Sequence, residues 1–339
     1  MKPALRLYHF SLLAISIGLS SFAANAQSKG VPIESECSSP PQSVLDQAEK
    51  LRTQGQLLRS TTISAQLESP LPGSIQVKST LTAPLQPHEV AELARLGGVH
   101  VDWYYLCPDC NHWHAQLAGG YAIARDAVAT VYHGVNPSML AMREGYLIAV
   151  DSGGIVRPVT GVLASSQGMD AAILHIGGSD LKPLALNDNV AQGDEVYCLS
   201  DPLGTKGYFS QGIVNRFYWM RGRSGKPGSL EELNSLRMNV STEWAPGSSG
   251  AALLDHCGNA IGHVATISPL KEKGHPTSAK PPEIKPGEES KKNDPPLTKP
   301  LLTDRFQGAV LITLHTATPA RGVLALVQSL DHSDLKPQQ

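Results

Sequence analysis

Apolar and polar positions divide the chain into stretches of different period. Val44, Leu45, Ala48 and Leu51 recur on one helical face. Ser43-Val44-Leu45-Asp46 has the form of a capping box, so a short helix is expected to about Arg52. Weaker patterns around residues 63–67 and 75–77 predict two strands. Pro87 opens another helix, which Gly97-Gly98 stops. From there the period becomes two. Val99, Val101, Trp103 and Tyr105 alternate with other residues. Residues 120–124 and 127–133 read as paired strands that end in His133. Residues 146–150 and 155–163 are joined by Asp151-Ser152-Gly153-Gly154, a strong hairpin signal. Residues 168–176 form an apolar strand with one acid, Asp170. Further strands are expected at 193–199 and 208–217, with residues 224–232 as an exposed loop and 237–241 leading into the turn at 242–254. Residues 309–314 give a last strand, and Pro319 opens a helix carrying Val323, Leu324, Leu326 and Val327.

Two segments depart from this pattern. Residues 1–26 read as a secretory signal: Lys2 and Arg6 make a positive start, residues 12–24 are apolar, and Ala24-Asn25-Ala26 is a small-x-small cleavage pattern. The apolar run is short for a retained membrane anchor. No cysteine follows the cleavage site, which argues against a lipoprotein. An exported chain, periplasmic or secreted, is the expectation, with no membrane span after cleavage. Residues 270–304 are dense in Pro, Lys and Glu and hold too few apolar residues to stay ordered. Composition otherwise suits a soluble protein with a sizeable core, and the net charge of −2 gives no footprint for nucleic acid or an anionic membrane.

The candidate chemistry centres on residues 242–254, where a small-residue turn runs into an apolar strand and places Ser249 at the turn. A serine needs a base to take its proton, and donors to receive charge on the attacked carbonyl. Gly247 and Gly250 free the backbone there, so the N–H groups of Gly247 and Ser249 can point into one space as an oxyanion hole. His133 supplies a base and Asp170 its orienter, in the order His, Asp, Ser.

With these residues in view, the chain resembles the trypsin-like serine peptidases, and most the bacterial HtrA (Deg-type) branch. Thr130–His133 as Thr-x-x-His, Asp170–Leu174 as Asp-Ala-Ala-Ile-Leu, and Pro-Gly-Ser-Ser-Gly at 246–250 match its three signature segments. Gly204 matches the glycine of a further family turn, and the likeness runs from about residue 99 to 330. The resemblance implies an all-β fold of two six-stranded antiparallel β-barrels, chymotrypsin-like, with a short C-terminal helix. A partly helical N-terminal extension (27–98) of unassigned role precedes the protease domain (99–330), residues 270–304 become a loop inserted before the last barrel strand, and 331–339 are a tail. It further implies an endopeptidase acting on polypeptides with no metal and no organic cofactor; a homo-oligomer is compatible with it.

The sequence also departs from the family. Ser248 stands where HtrA enzymes often have Asn and trypsins Asp, Ala251-Ala252 replace Gly-Pro, and no PDZ domain follows the last helix. By position, Glu243 falls near the base of the primary specificity pocket, which favours a basic residue at the cleaved bond; the rival readings are that Glu243 points to solvent and that Trp244 or local shape sets preference. Cys107 and Cys110, with His112 and His114, admit either zinc or a short disulfide, and an oxidising compartment favours the disulfide. The resemblance implies a Cys198–Cys257 disulfide, leaving Cys37 free or paired between chains. Two other classes of function compete: a protease fold of little activity that binds proteins, and a chaperone-like holdase.

Overall fold

The structure is a computed structural model that describes residues 40–178, 180–220, 224–271 and 310–331. The signal segment, Cys37, most of the Pro/Lys-rich stretch and the C-terminal tail lie outside the described residues.

Two closed antiparallel barrels of six strands each form the fold. The first runs β1 (Gly98–Leu106), β2 (Trp113–Ala124), β3 (Ala127–Thr130), β6 (Ala171–Ile176), β5 (Val156–Ser166) and β4 (Glu144–Asp151) around its wall. The second runs β10 (Ala252–Leu254), β11 (Ala260–Lys271), β12 (Val310–Pro319), β9 (Leu236–Val240), β8 (Tyr208–Trp219) and β7 (Glu195–Ser200). Helix α6 (Ala320–Asp331) follows directly from β12.

The apolar run of β6 shows how the two barrels meet. Ala172, Leu174 and Ile176 point into the first barrel's core, and Ala171 and Ile173 face the opposite way, into a layer with Leu254 and Ala260 of the second barrel and Val323 and Leu326 of α6. A strand buried on both faces has no polar side to show, so its alternation disappears from the sequence. Full burial of a side chain such as Leu174 contributes about 1.5–3 kcal/mol over leaving it exposed.

The N-terminal segment straps both barrels. Helix α1 (Gln42–Thr53) buries Val44 and Ala48 against the first barrel, Tyr104 donates to the Glu49 carboxylate at 2.9 Å, and Arg52 lies over the Trp113 ring. Residues 60–68 are helix α2 (Ser60–Glu68), not the expected strand. Ile63 and Leu67 are spaced to suit a strand and also lie one helical turn apart; the first barrel offers a flat apolar wall that takes both from a helix. The 75–77 strand is absent, and Ile75 is buried from an irregular segment. That segment reaches the second barrel, where Leu81 and Asn259 exchange hydrogen bonds of 2.7 and 2.9 Å. Helix α3 (Pro87–Gly97) begins at Pro87 as expected and feeds β1. The capping box sits here, not at Ser43: the Gln86 amide donates to the Glu89 carboxylate, whereas α1 starts after Pro41 with no side-chain cap.

Candidate active site

Asp170 does not lie within a strand. It is the last residue of the turn before β6 and has φ 57, a left-handed conformation that a non-glycine residue adopts at a cost. Three consecutive carbonyls of this turn are held by side chains of the second barrel. Arg237 donates to Gly168 O at 2.6 Å, Thr318 Oγ1 to Met169 O at 2.7 Å, and His263 Nε2 to Asp170 O at 3.1 Å. The acid of the first barrel is thus fixed by the second. Because its acceptor is a carbonyl, His263 carries its proton on Nε2, and burial pushes its pKa down, so the ring stays neutral.

His133 is not a strand end either. It sits in α4 (Tyr132–Val135), one helical turn after β3, which the Trp103 indole pins by donating to Gly134 O at 3.0 Å. The Asp170 carboxylate receives His133 Nδ1 at 2.9 and 3.1 Å and the His133 backbone amide at 3.0 Å. Burial works to raise the Asp170 pKa, but the two donors and the charge attraction of the ring outweigh it and hold the carboxyl below its ordinary range. One edge of the imidazole is therefore fixed, and the ring is partly exposed, at 37%.

Ser249 is delivered from the second barrel by a close backbone approach. Gly119 N donates to Ser249 O at 2.6 Å, and the Gly119 carbonyl accepts from Thr130 Oγ1 at 2.7 Å, three residues before His133. A Cβ on Gly119 would meet Ala251 N at 2.6 Å, so only glycine allows this contact. The side chains of the turn alternate. Ser248 is buried and accepts from Ser200 Oγ at 2.9 Å, whereas Ser249 is half-exposed. Ser249 Oγ makes no hydrogen bond to His133 among the described residues; apo sites commonly tighten only with substrate bound.

The amides of the turn fall into two sets. Ser248 N donates to Ala245 O, Gly250 N to Val264 O and Ala251 N to Ser248 O. Gly247 N and Ser249 N have no protein acceptor among the described residues. They are the two donors an oxyanion hole needs. Gly247 holds φ 101, and a Cβ there would meet Asp201 O at 2.8 Å. The 201–204 turn braces this point, with Leu203 N donating to Pro246 O at 2.7 Å.

A model of the trypsin-like peptidase domain matches residues 118–262, a span holding His133, Asp170 and Ser249. Over that span the chain is similar to trypsin-like peptidase domains. No curated protein matches its sequence. Among solved structures it is similar to a serine endoprotease from Yersinia pestis, at 17% identity and a TM-score of 0.44, over 75% of this chain and 69% of that one.

Other sequence-predicted site residues stand elsewhere. Glu243 is exposed, and its carboxylate accepts from the Tyr208 hydroxyl at 2.6 Å. Trp244 is buried in the second barrel's core, edge-on to His315. Neither disulfide is formed: Cys107, Cys110, Cys198 and Cys257 are free thiols. Cys198 lies opposite Leu253 inside the barrel, and Cys257 is four residues further on, in the turn beyond β10. Core burial pushes the Cys198 thiol up to about 12, so it remains protonated and unreactive.

Arg237, His263 and Thr318 were missed by sequence reasoning. A faint signal existed for one of them: His263 is the single polar side chain in Ala260-Ile261-Gly262-His263-Val264.

Proposed function

We propose that the protein is a serine endopeptidase using Ser249 as nucleophile, His133 as general base and acid, and Asp170 as orienter. The observation that carries this reading is the His133–Asp170 pair, fixed through Nδ1 beside a turn whose Gly247 and Ser249 amides lack protein acceptors. Ser249 Oγ attacks the scissile carbonyl as its proton passes to His133 Nε2. Asp170 stabilises the imidazolium and fixes the tautomer. The Gly247 and Ser249 N–H groups receive the negative charge on the carbonyl oxygen. His133 returns the proton to the leaving amine, leaving an acyl-enzyme. Water, deprotonated by the same ring, then releases the acid and restores Ser249. The leader pattern of residues 1–26 supports export, with cleavage of polypeptides outside the cytoplasm.

One observation favours a second reading, a protease fold of little activity: Ser249 Oγ is not bonded to the ring in this structure. A fluorophosphonate probe separates the two. The active enzyme is labelled on Ser249, and Ser249→Ala is not. Absence of label on the folded wild-type chain, with a denatured peptide substrate also left uncut, sinks the peptidase reading.

A further inference from the structure

The tip of the β1–β2 hairpin is not used by the proposed catalytic chemistry. Cys107-Pro108-Asp109-Cys110-Asn111-His112 turns the chain between the two strands, and His114 is the second residue of β2. The ligand atoms of Cys107, Cys110 and His114 all lie within 4.8 Å of one another, and Cys110 Sγ is 3.0 Å from His114 Nε2.

The loop is built to hold this shape. Cys107 N donates to His112 O at 3.0 Å and Asn111 N to Cys107 O at 3.2 Å, with Asn111 in the left-handed region at φ 57. Arg143, in the bend just before β4, braces it by donating to Asn111 Oδ1 at 2.8 Å, and the Tyr105 ring lies against His114. A disulfide between Cys107 and Cys110 gives no role to the imidazole that stands on the Cys110 sulfur. Two sulfurs and a ring nitrogen converging on one point are the donor set of zinc, with Zn–S about 2.3 Å and Zn–N about 2.0–2.1 Å.

We propose that Cys107, Cys110 and His114 bind a zinc ion, with the fourth tetrahedral position turned to solvent. Binding releases the two thiol protons, so the ion is held by two thiolates and a neutral imidazole. The ion closes the open end of the hairpin, where Tyr105 faces His114 and Leu106 faces Trp113. It thereby fixes the register of β2, whose far half carries Gly119 to Ser249.

Cobalt(II) titration of the reduced, metal-free Ser249→Ala protein tests this, because that background prevents self-cleavage. The expected result is one ion per chain, with thiolate-to-cobalt charge-transfer bands and the intense visible absorption of tetrahedral cobalt, lost on adding zinc. His114→Ala and Cys110→Ser should each remove the charge-transfer signal or weaken binding at least tenfold while circular dichroism remains that of the folded chain. A chelator should lower the melting temperature of the zinc-loaded parent and leave that of Cys110→Ser unchanged. Folded parent that takes up no cobalt, or takes it up equally in His114→Ala, overturns the site.

Discussion

Asp170 holds an unfavourable backbone torsion because three second-barrel donors grip the turn that carries it. Each donor should therefore matter beyond its own hydrogen bond. Thr318→Val removes the hydroxyl and strands the buried Met169 carbonyl, a loss of about 1–3 kcal/mol of stability measurable by urea unfolding. His263→Gln keeps a donor near Asp170 O but removes a titrating ring. The folded-state pKa of His263 lies below the ordinary 6.5, so under acid the unfolded chain binds a proton that the native ring refuses. Its contribution to stability is full above about pH 6.5 and is lost as pH falls toward the depressed native value. The Gln variant should flatten that part of the stability–pH curve; an unchanged slope contradicts the assignment. Asp170, Arg237 and His133 are the ionisable groups that act on the ring, and Gln leaves all three in place. At the nucleophile turn, Gly247→Ala forces a Cβ against Asp201 O and disturbs one oxyanion donor. A fall in kcat on the order of 10²–10³ is expected if that donor is lost, with KM changed far less.

At the scale of elements, β2 has two ends with two duties. Its first residues close the Cys/His hairpin, and Gly119, further along, receives the nucleophile turn. Gly119→Ala should therefore disable the site more than it unfolds the chain: fluorophosphonate labelling should drop at least tenfold while the first barrel's near-ultraviolet spectrum persists. Equal labelling would mean that Ser249 is not positioned by this contact. Helices α1 and α2 wrap the first barrel rather than forming a unit of their own. Removing residues up to 68 uncovers Tyr104, Trp113, Val159 and Val162, so the truncated chain should melt well below the full one and bind a hydrophobic dye.

For the whole molecule, the proposed catalytic groups are divided between two barrels that neither can serve alone. His133 and Asp170 lie in the first, Ser249 in the second, and the carbonyl clamp and the Gly119 contact join them. Acid should weaken both the fold and the site. The Asp170 carboxylate has a native pKa below its ordinary 3.8, so its stabilising contribution is full above that value and vanishes as pH falls through the lower one. In an acid titration, stability should therefore fall first in the histidine range and again below the ordinary carboxylate range. Asp170→Asn should reduce the second part of that fall, to which Glu49 also contributes, and depress kcat with little change in KM.

Much of this was legible in the sequence. The alternation of residues 99–105, the Asp151–Gly154 hairpin and the small-residue turn at Ser249 are local signals, because side-chain period and turn chemistry act over a few neighbouring residues. Helix α2 was misread because Ile63 and Leu67 satisfy both periods over so short a run, and only the wall they pack on chose between them. The partners Arg237, His263 and Thr318, the engaged and unengaged amides of residues 247–251, and the convergence of His114 on two free cysteines were left to tertiary structure. For Arg237, His263 and Thr318 the physical reason is distance along the chain. A hydrogen bond between residues 69 to 149 positions apart leaves no periodic trace in the chain, and it exists only once both barrels have closed and brought donor and acceptor together.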